Sequence, residues 1–203
     1  AFNQDIGDWD LSNGTDFSEM FLCYGNSVFN QDIGSWDVSN GTNFDSMFEG
    51  ATYFNQDIGS WDVSNSLSFN EMFADAKSFN QDIGDWDVSS GTDFSYMFAN
   101  WEGSAFNQDI GEWDVSNGTN FYGMFLSHGN SVFNQDIGSW DVSNGTSFDS
   151  MFEGATEFNQ DVGDWDISNA SDLDEMFADA TSFNQDIGDW DLSSVFDISA
   201  MFR

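Results

Sequence analysis

The sequence predicts a repeat solenoid of eight coils on a 25–27-residue period, right-handed, each coil with one short parallel β-strand and a short helical turn. Three observations predict it. The stretch Phe2-Asn3-Gln4-Asp5-Ile6-Gly7-Asp8-Trp9-Asp10-Leu11-Ser12 returns at Phe29, Phe54, Phe79, Phe106, Phe133, Phe158 and Phe183. Above that period lies a longer one: Asp45-Ser46-Met47-Phe48-Glu49-Gly50-Ala51-Thr52 reappears 104 residues later as Asp149-Ser150-Met151-Phe152-Glu153-Gly154-Ala155-Thr156. The chain is 39% hydrophobic and rich in Phe and Trp, which supplies a continuous core and argues against disorder despite the charge. The 203 residues therefore read as one elongated domain, two four-coil blocks at about 1–104 and 105–203, expected to be part of a longer array.

The first coil shows the reasoning for each element. Trp9 and Leu11 fall on one face of an extended segment with Asp10 on the other, because side chains alternate along a strand. Residues 8–12 are read as that strand. Asn13-Gly14 is a turn signal. Phe17, Met20 and Phe21 have the i, i+3, i+4 spacing of one helical face, which predicts about one helical turn. The expected core of a coil is Phe2, Ile6, Trp9, Leu11, Phe17, Met20 and Phe21. The coils beginning at Phe2, Phe79 and Phe106 have two extra linker residues, expected on one face of the stack. Trp101 lies in one such linker and reads as a lid on the core or, alternatively, as a ligand-stacking ring.

The run Ile6-x-x-Trp9-x-Leu11-Ser12-Asn13 resembles the leucine-rich repeat with one residue fewer before the Asn. The longer pattern Phe-Asn-Gln-Asp-Ile-Gly-x-Trp-Asp-Val-Ser-Asn followed by Met-Phe resembles the BspA-like leucine-rich-repeat surface proteins, over the whole chain. The resemblance implies an extracellular or cell-surface solenoid, often adhesive, without enzyme activity. The chain departs from the family where Val and Met are usual. It has Gly14, Gly41, Gly91, Gly118 and Gly145 paired with Phe17, Phe44, Phe94, Phe121 and Phe148, while the last coil keeps Val195 and Ile198. A small residue gained with a large one reads as a volume exchange inside the coil.

Charge narrows the partners. Thirty-seven acidic side chains face only Lys77 and Arg203, a formal charge of −35. Nucleic acid is excluded as a natural partner, since such affinity comes from Lys and Arg on phosphates. Anionic membrane surfaces are disfavoured, and cations or cationic partners favoured. No apolar run is long enough to span a bilayer. The chain begins in mid-pattern at Ala1, as a mature product or excised fragment would.

Asp10, Asp37, Asp62, Asp87, Asp114, Asp141, Asp166 and Asp191 recur at one place in every coil. A carboxylate row of this kind suits Ca²⁺, a hard cation with oxygen ligands, and is the candidate metal site; a solvated acidic face is the competing account. The Asn3-Gln4-Asp5 positions form further rows, read as hydrogen-bonding to backbone. Asp8 to Glu19 and Asp164 to Glu175 mimic a calcium-binding EF-hand loop, but the interleaved Trp belongs in the core and flanking helices are lacking. Asn13, Asn40, Asn117, Asn144 and Asn169 lie in Asn-x-Ser/Thr acceptor sites, glycan candidates in a secreted eukaryotic protein and otherwise turn residues. Cys23, the single cysteine, reads as an incidental free thiol. His128 belongs to no recurring constellation, and paired carboxylates in every coil argue for architecture rather than catalysis. No catalytic residue and no organic cofactor is expected.

The expected function is that of an extracellular structural protein forming or decorating a fibre or surface appendage. Ends that begin at Phe2 and stop at Met201-Phe202-Arg203 lack polar caps and invite head-to-tail self-association into filaments. The alternative is a surface adhesin segment that binds host, matrix or glycan ligands. Ice binding through Thr15, Thr42, Thr92, Thr119 and Thr146 is weaker, since the third, seventh and eighth coils lack that Thr.

Overall fold

The computed structural model describes residues 2–25 and 27–203. The eight repeats stack coil upon coil. One column of single parallel bridges, Asp16 to Asn43 to Ser68 to Asp93 to Asn120 to Ser147 to Asp172 to Asp197, ties every coil to the next. Among the described residues there is no helix, and extended pairing is confined to isolated bridges.

The strand expected at 8–12 is not one. Two turns enclose it, with the Trp9 N–H donating to the Ile6 carbonyl at 3.1 Å and the Gly14 N–H to the Leu11 carbonyl at 2.7 Å. Only three residues lie between turns, too few for a ladder. Side chains join the coils there instead: the Trp36 indole N–H donates to the Ile6 carbonyl at 3.1 Å, and the contact repeats up to Trp190 on Val162.

The helical turn expected at 16–21 is also replaced. The Met20 N–H reaches the Phe17 carbonyl and the Leu22 N–H reaches that of Glu19, yet Glu19 has φ +57°. A left-handed residue stops a helix. The same place is left-handed in every coil, at Ser46, Glu71, Tyr96, Gly123, Ser150, Glu175 and Ala200. Each non-glycine residue there stores backbone strain on the order of 1 kcal/mol. The alternation turns every second peptide group along the stack. Phe17, Glu19, Phe21 and Cys23 donate their N–H groups to Asn43, Asp45, Met47 and Glu49 of the next coil at 2.8–2.9 Å, and the equivalent four bonds recur at every later interface. These peptide columns all point one way, N–H toward the C-terminal coil. A single column, from the Thr42 N–H to the Thr15 carbonyl onward, runs against them.

The core is built of ladders. Phe2, Phe29, Phe54, Phe79, Phe106, Phe133, Phe158 and Phe183 stack at 6.0–6.2 Å between centroids. A second ladder, from Phe21 to Phe202, stacks at 5.5–5.9 Å and lies 3.9–4.1 Å from the first. Interior coils bury the expected set almost fully. In the first coil Phe2 and Trp9 are half exposed, because one side of each faces no neighbouring coil. Ile198 and Phe202 are exposed for the same reason in the last, whereas Phe196 holds the outward position of Thr42 and Leu67, which is exposed in interior coils as well.

The volume exchange is visible directly. A Cβ on Gly41 would run into the Phe44 ring, and the same holds at Gly14, Gly91, Gly118 and Gly145. Ala170 goes with Leu173 and Val195 with Ile198. In these pairings a larger first side chain goes with a smaller second one, and the pair fills one volume; Ser66 with Phe69 is the exception, its hydroxyl donating to the Ser68 carbonyl.

Candidate functional surface

Each of the eight metal-candidate aspartates is exposed and closes a local turn. Asp10 Oδ1 accepts from the Ser12 N–H at 3.1 Å and from its hydroxyl at 2.6 Å. Asp37, Asp62 and Asp87 repeat both bonds, and Asp114, Asp141, Asp166 and Asp191 repeat the backbone one. These bonds hold the carboxyls of Asp10, Asp37, Asp114 and Asp166 below the usual range. Among the described residues no group of three or more His, Cys, Asp or Glu side chains is placed to hold a metal ion. The row as built is a line of separate, solvated carboxylates, each with one oxygen already engaged. The EF-hand-like segments are engaged elsewhere: the Glu19 N–H donates to Asp45, and Glu175 pairs with Arg203 at 2.8 Å.

The glycan-candidate asparagines are exposed, but their amide nitrogens are used within the stack. Asn40 Nδ2 donates to the Ser12 carbonyl at 2.8 Å, and Asn117, Asn144 and Asn169 make the same bond to Ser89, Ser116 and Ser143. Asn13, in the first coil described, makes no such bond among the described residues. The turn role therefore has a physical basis independent of any glycan.

The Asn-Gln-Asp rows bond as expected. Asn3 Oδ1 accepts from the Asn30 N–H and from Gln31 Nε2, both at 3.0 Å, and the Asn ladder continues to Asn159 and Asn184. Asp5 Oδ1 accepts from the Gly7 N–H, as every equivalent aspartate does for its glycine. Asn80 is a test of this ladder. Its Oδ1 holds the Asn107 N–H at 2.9 Å. Asn80→Ala leaves that donor without its partner and is expected to cost about 1–3 kcal/mol. Chemical denaturation would read the loss, and the Asn107 amide would exchange faster with solvent; unchanged exchange would count against the ladder.

Two features escaped the sequence reading. The first is a set of half-buried carboxylates on the turn face. Burial, with Asp172, Asp174 and Glu175 nearby, pushes Asp149 up to about 6, and burial also raises Asp45 and Glu49. The second is an aromatic strip at the two adjacent long coils. Trp101 is 48% exposed and covers no core; its ring meets Tyr96 and His128. The long linkers pair with each other through Asn100 to Ser127 and Ser104 to Ser131. Beside them the four-coil duplication makes two equivalent clefts. One of about 270 Å³ includes Tyr24, Glu49 and Asp75, and one of about 220 Å³ includes His128, Glu153 and Asp179. Cys23 lines the first, half-buried and unpaired.

A family model described as "Mycoplasma protein of unknown function, DUF285" matches residues 1–104, 69–131 and 101–203. The chain belongs to this family. The outer two of the three DUF285 matches span the two four-coil blocks, and the middle one crosses the boundary between them. No curated protein and no solved structure matches the chain. No helix of this DUF285 chain is long and apolar enough to cross a membrane, among the described residues.

Proposed function

We propose that this chain is a non-catalytic structural segment of an extracellular fibre or surface appendage, a right-handed leucine-rich-repeat-like solenoid of the BspA-like kind that extends by coil-on-coil stacking. The observation that carries the reading is the sameness of the seven interfaces. Each makes the same four aligned backbone bonds and the same two phenylalanine stacks, in the Phe2-to-Phe183 and Phe21-to-Phe202 ladders. A coil therefore has two different, complementary faces, N–H groups on one and carbonyls on the other. Contact between unlike faces is heterologous and propagates in one direction. A further coil of this kind, in the same polypeptide or on a second copy, would cover the exposed rings of Phe2 and Trp9 or the side chains of Ile198 and Phe202. The extracellular setting follows from the resemblance to BspA-like surface proteins.

The test is electron microscopy of the purified chain over a range of concentrations, in calcium and in chelator. Rods that join end to end and lengthen with concentration are the expected result. Shortening on chelation would place a cation on the Asp10-to-Asp191 row. Rods of one fixed length at every concentration would overturn self-assembly of this chain. The second reading, an adhesin segment, is favoured by the exposed aromatic strip around Trp101.

A further inference from the structure

The aromatic strip is a place where the repeat departs from itself on the surface. Tyr122 lies 4.5 Å from Tyr96, Tyr96 lies 6.3 Å from Trp101, and Trp101 lies 6.5 Å from His128, all between ring centroids. Four rings thus run unbroken across two coils. The strip is built rather than incidental. Tyr96 occupies the left-handed position at φ +54°, which Glu or Ser holds in most other coils, and a bulky residue is strained there. The next coil has Gly123 at that position, and a Cβ on it would run into the Tyr96 ring. Trp101 is held as well: its N–H donates to Asp75 Oδ1 at 2.9 Å, and Asn100 Oδ1 accepts from the Glu102 N–H at 3.0 Å.

The flanks are acidic. Glu71 on one side and Asp149 on the other act electrostatically on Tyr96, Asp75 holds the Trp101 backbone, and Glu153 lies 3.9 Å from His128 Nδ1. The only basic side chain nearby, Lys77, is already paired with Glu102. Aromatic faces bordered by carboxylates attract cations through the ring quadrupole and through charge together. A neutral sugar would stack on the rings and donate hydroxyls to the carboxylates, but it carries no charge for them to attract and makes no cation–π contact.

We propose that this strip is a docking surface for a basic segment of a partner protein, with an arginine guanidinium or lysine ammonium seated over Trp101 and Tyr96 and neighbouring basic residues paired with the flanking carboxylates. Arginine is the better fit, because its planar group stacks on rings while its N–H groups reach carboxylates. The surface is independent of the fibre reading, since it lies on the side of interior coils.

A hexa-arginine peptide is the probe, titrated calorimetrically into the full chain at about 0.15 M salt, where long-range attraction is screened. Trp101→Ala is expected to weaken binding roughly 5-fold, and Trp101→Phe to retain most of the affinity. Tyr53→Ala is the matched control, an exposed ring that belongs to neither the strip nor the aromatic ladders, and should change nothing. Circular dichroism would verify that the variants keep the parent fold. Equal affinities for the parent chain, Trp101→Ala and Tyr53→Ala would assign binding to overall charge and overturn the proposal. No measurable binding of the peptide would overturn it too. A neutral oligosaccharide bound by the parent chain and lost in Trp101→Ala, with hexa-arginine unaffected, would make the strip a glycan surface and overturn it in favour of that class.

Discussion

Gly145→Val destabilises the chain by about 1–3 kcal/mol, and adding Phe148→Ile gives most of it back. Gly145 is buried, and a Cβ there meets the Phe148 ring, itself fully buried at 0% exposure. Valine must push the ring off its stacks on Phe121 and Trp165. Phe148→Ile alone removes ring atoms from a closed site and leaves a cavity, costing on the order of 2 kcal/mol. Together the two changes recreate the Val195–Ile198 pairing of the last coil, with Ala170–Leu173 as the natural intermediate. A double-mutant cycle read by chemical denaturation should show a coupling of at least about 1 kcal/mol in the stabilising direction. Strict additivity would mean that the two positions do not share one volume.

Acidification from neutral pH stabilises the fold, an unusual direction for a protein so rich in carboxylates held by hydrogen bonds. Asp149 is raised to about 6 by burial and by the carboxylates of Asp172, Asp174 and Glu175. Its charged form is therefore less favourable in the folded chain than in the unfolded one, where the pKa is about 3.9. Above pH 6 it subtracts from stability. As pH falls through 6 the folded chain takes up a proton first, and the penalty is relieved until the unfolded value is reached. Much of this carboxyl is open to solvent, so the relief is discounted to roughly 1 kcal/mol. Asp45, Glu49 and Asp174 are raised as well and act in the same sense. Asp10, Asp37, Asp114, Asp166 and Asp191, each held by its serine, act oppositely: their lowered values contribute stability above the unfolded pKa that is lost as pH falls through the folded one. Their window lies lower, so the two effects separate. Thermal melting should show a higher midpoint at pH 5 than at pH 7.5, and a decline at still lower pH. Asp149→Asn should raise the pH 7.5 midpoint and reduce the gain on acidification. A midpoint that falls steadily from pH 7.5 to 5 would contradict the burial of this group.

The sequence by itself determined the period, the four-coil duplication, the residues of the core and the size exchange between positions such as Gly145 and Phe148. All four are local or strictly periodic, and burial selects residue type directly. The bonding of Asn3 and Asp5 was legible for a related reason: short amide and carboxylate side chains satisfy backbone groups wherever a bend leaves them open. Only the tertiary structure decided the backbone path. The i, i+3, i+4 spacing of Phe17, Met20 and Phe21 records which side chains reach the core, and a turn with a left-handed Glu19 meets that requirement as well as a helix does. What selects the left-handed form is the bond from the Glu19 N–H to Asp45, made 26 residues away in the next coil. Glutamate is not a residue that announces positive φ, so nothing at that position signals it. The same holds for function. Asn40 reads as a turn residue or a glycan acceptor until stacking aims its amide at Ser12. Tyr96, Trp101, Tyr122 and His128 are scattered over 33 residues of sequence and become one surface only because two long coils lie side by side.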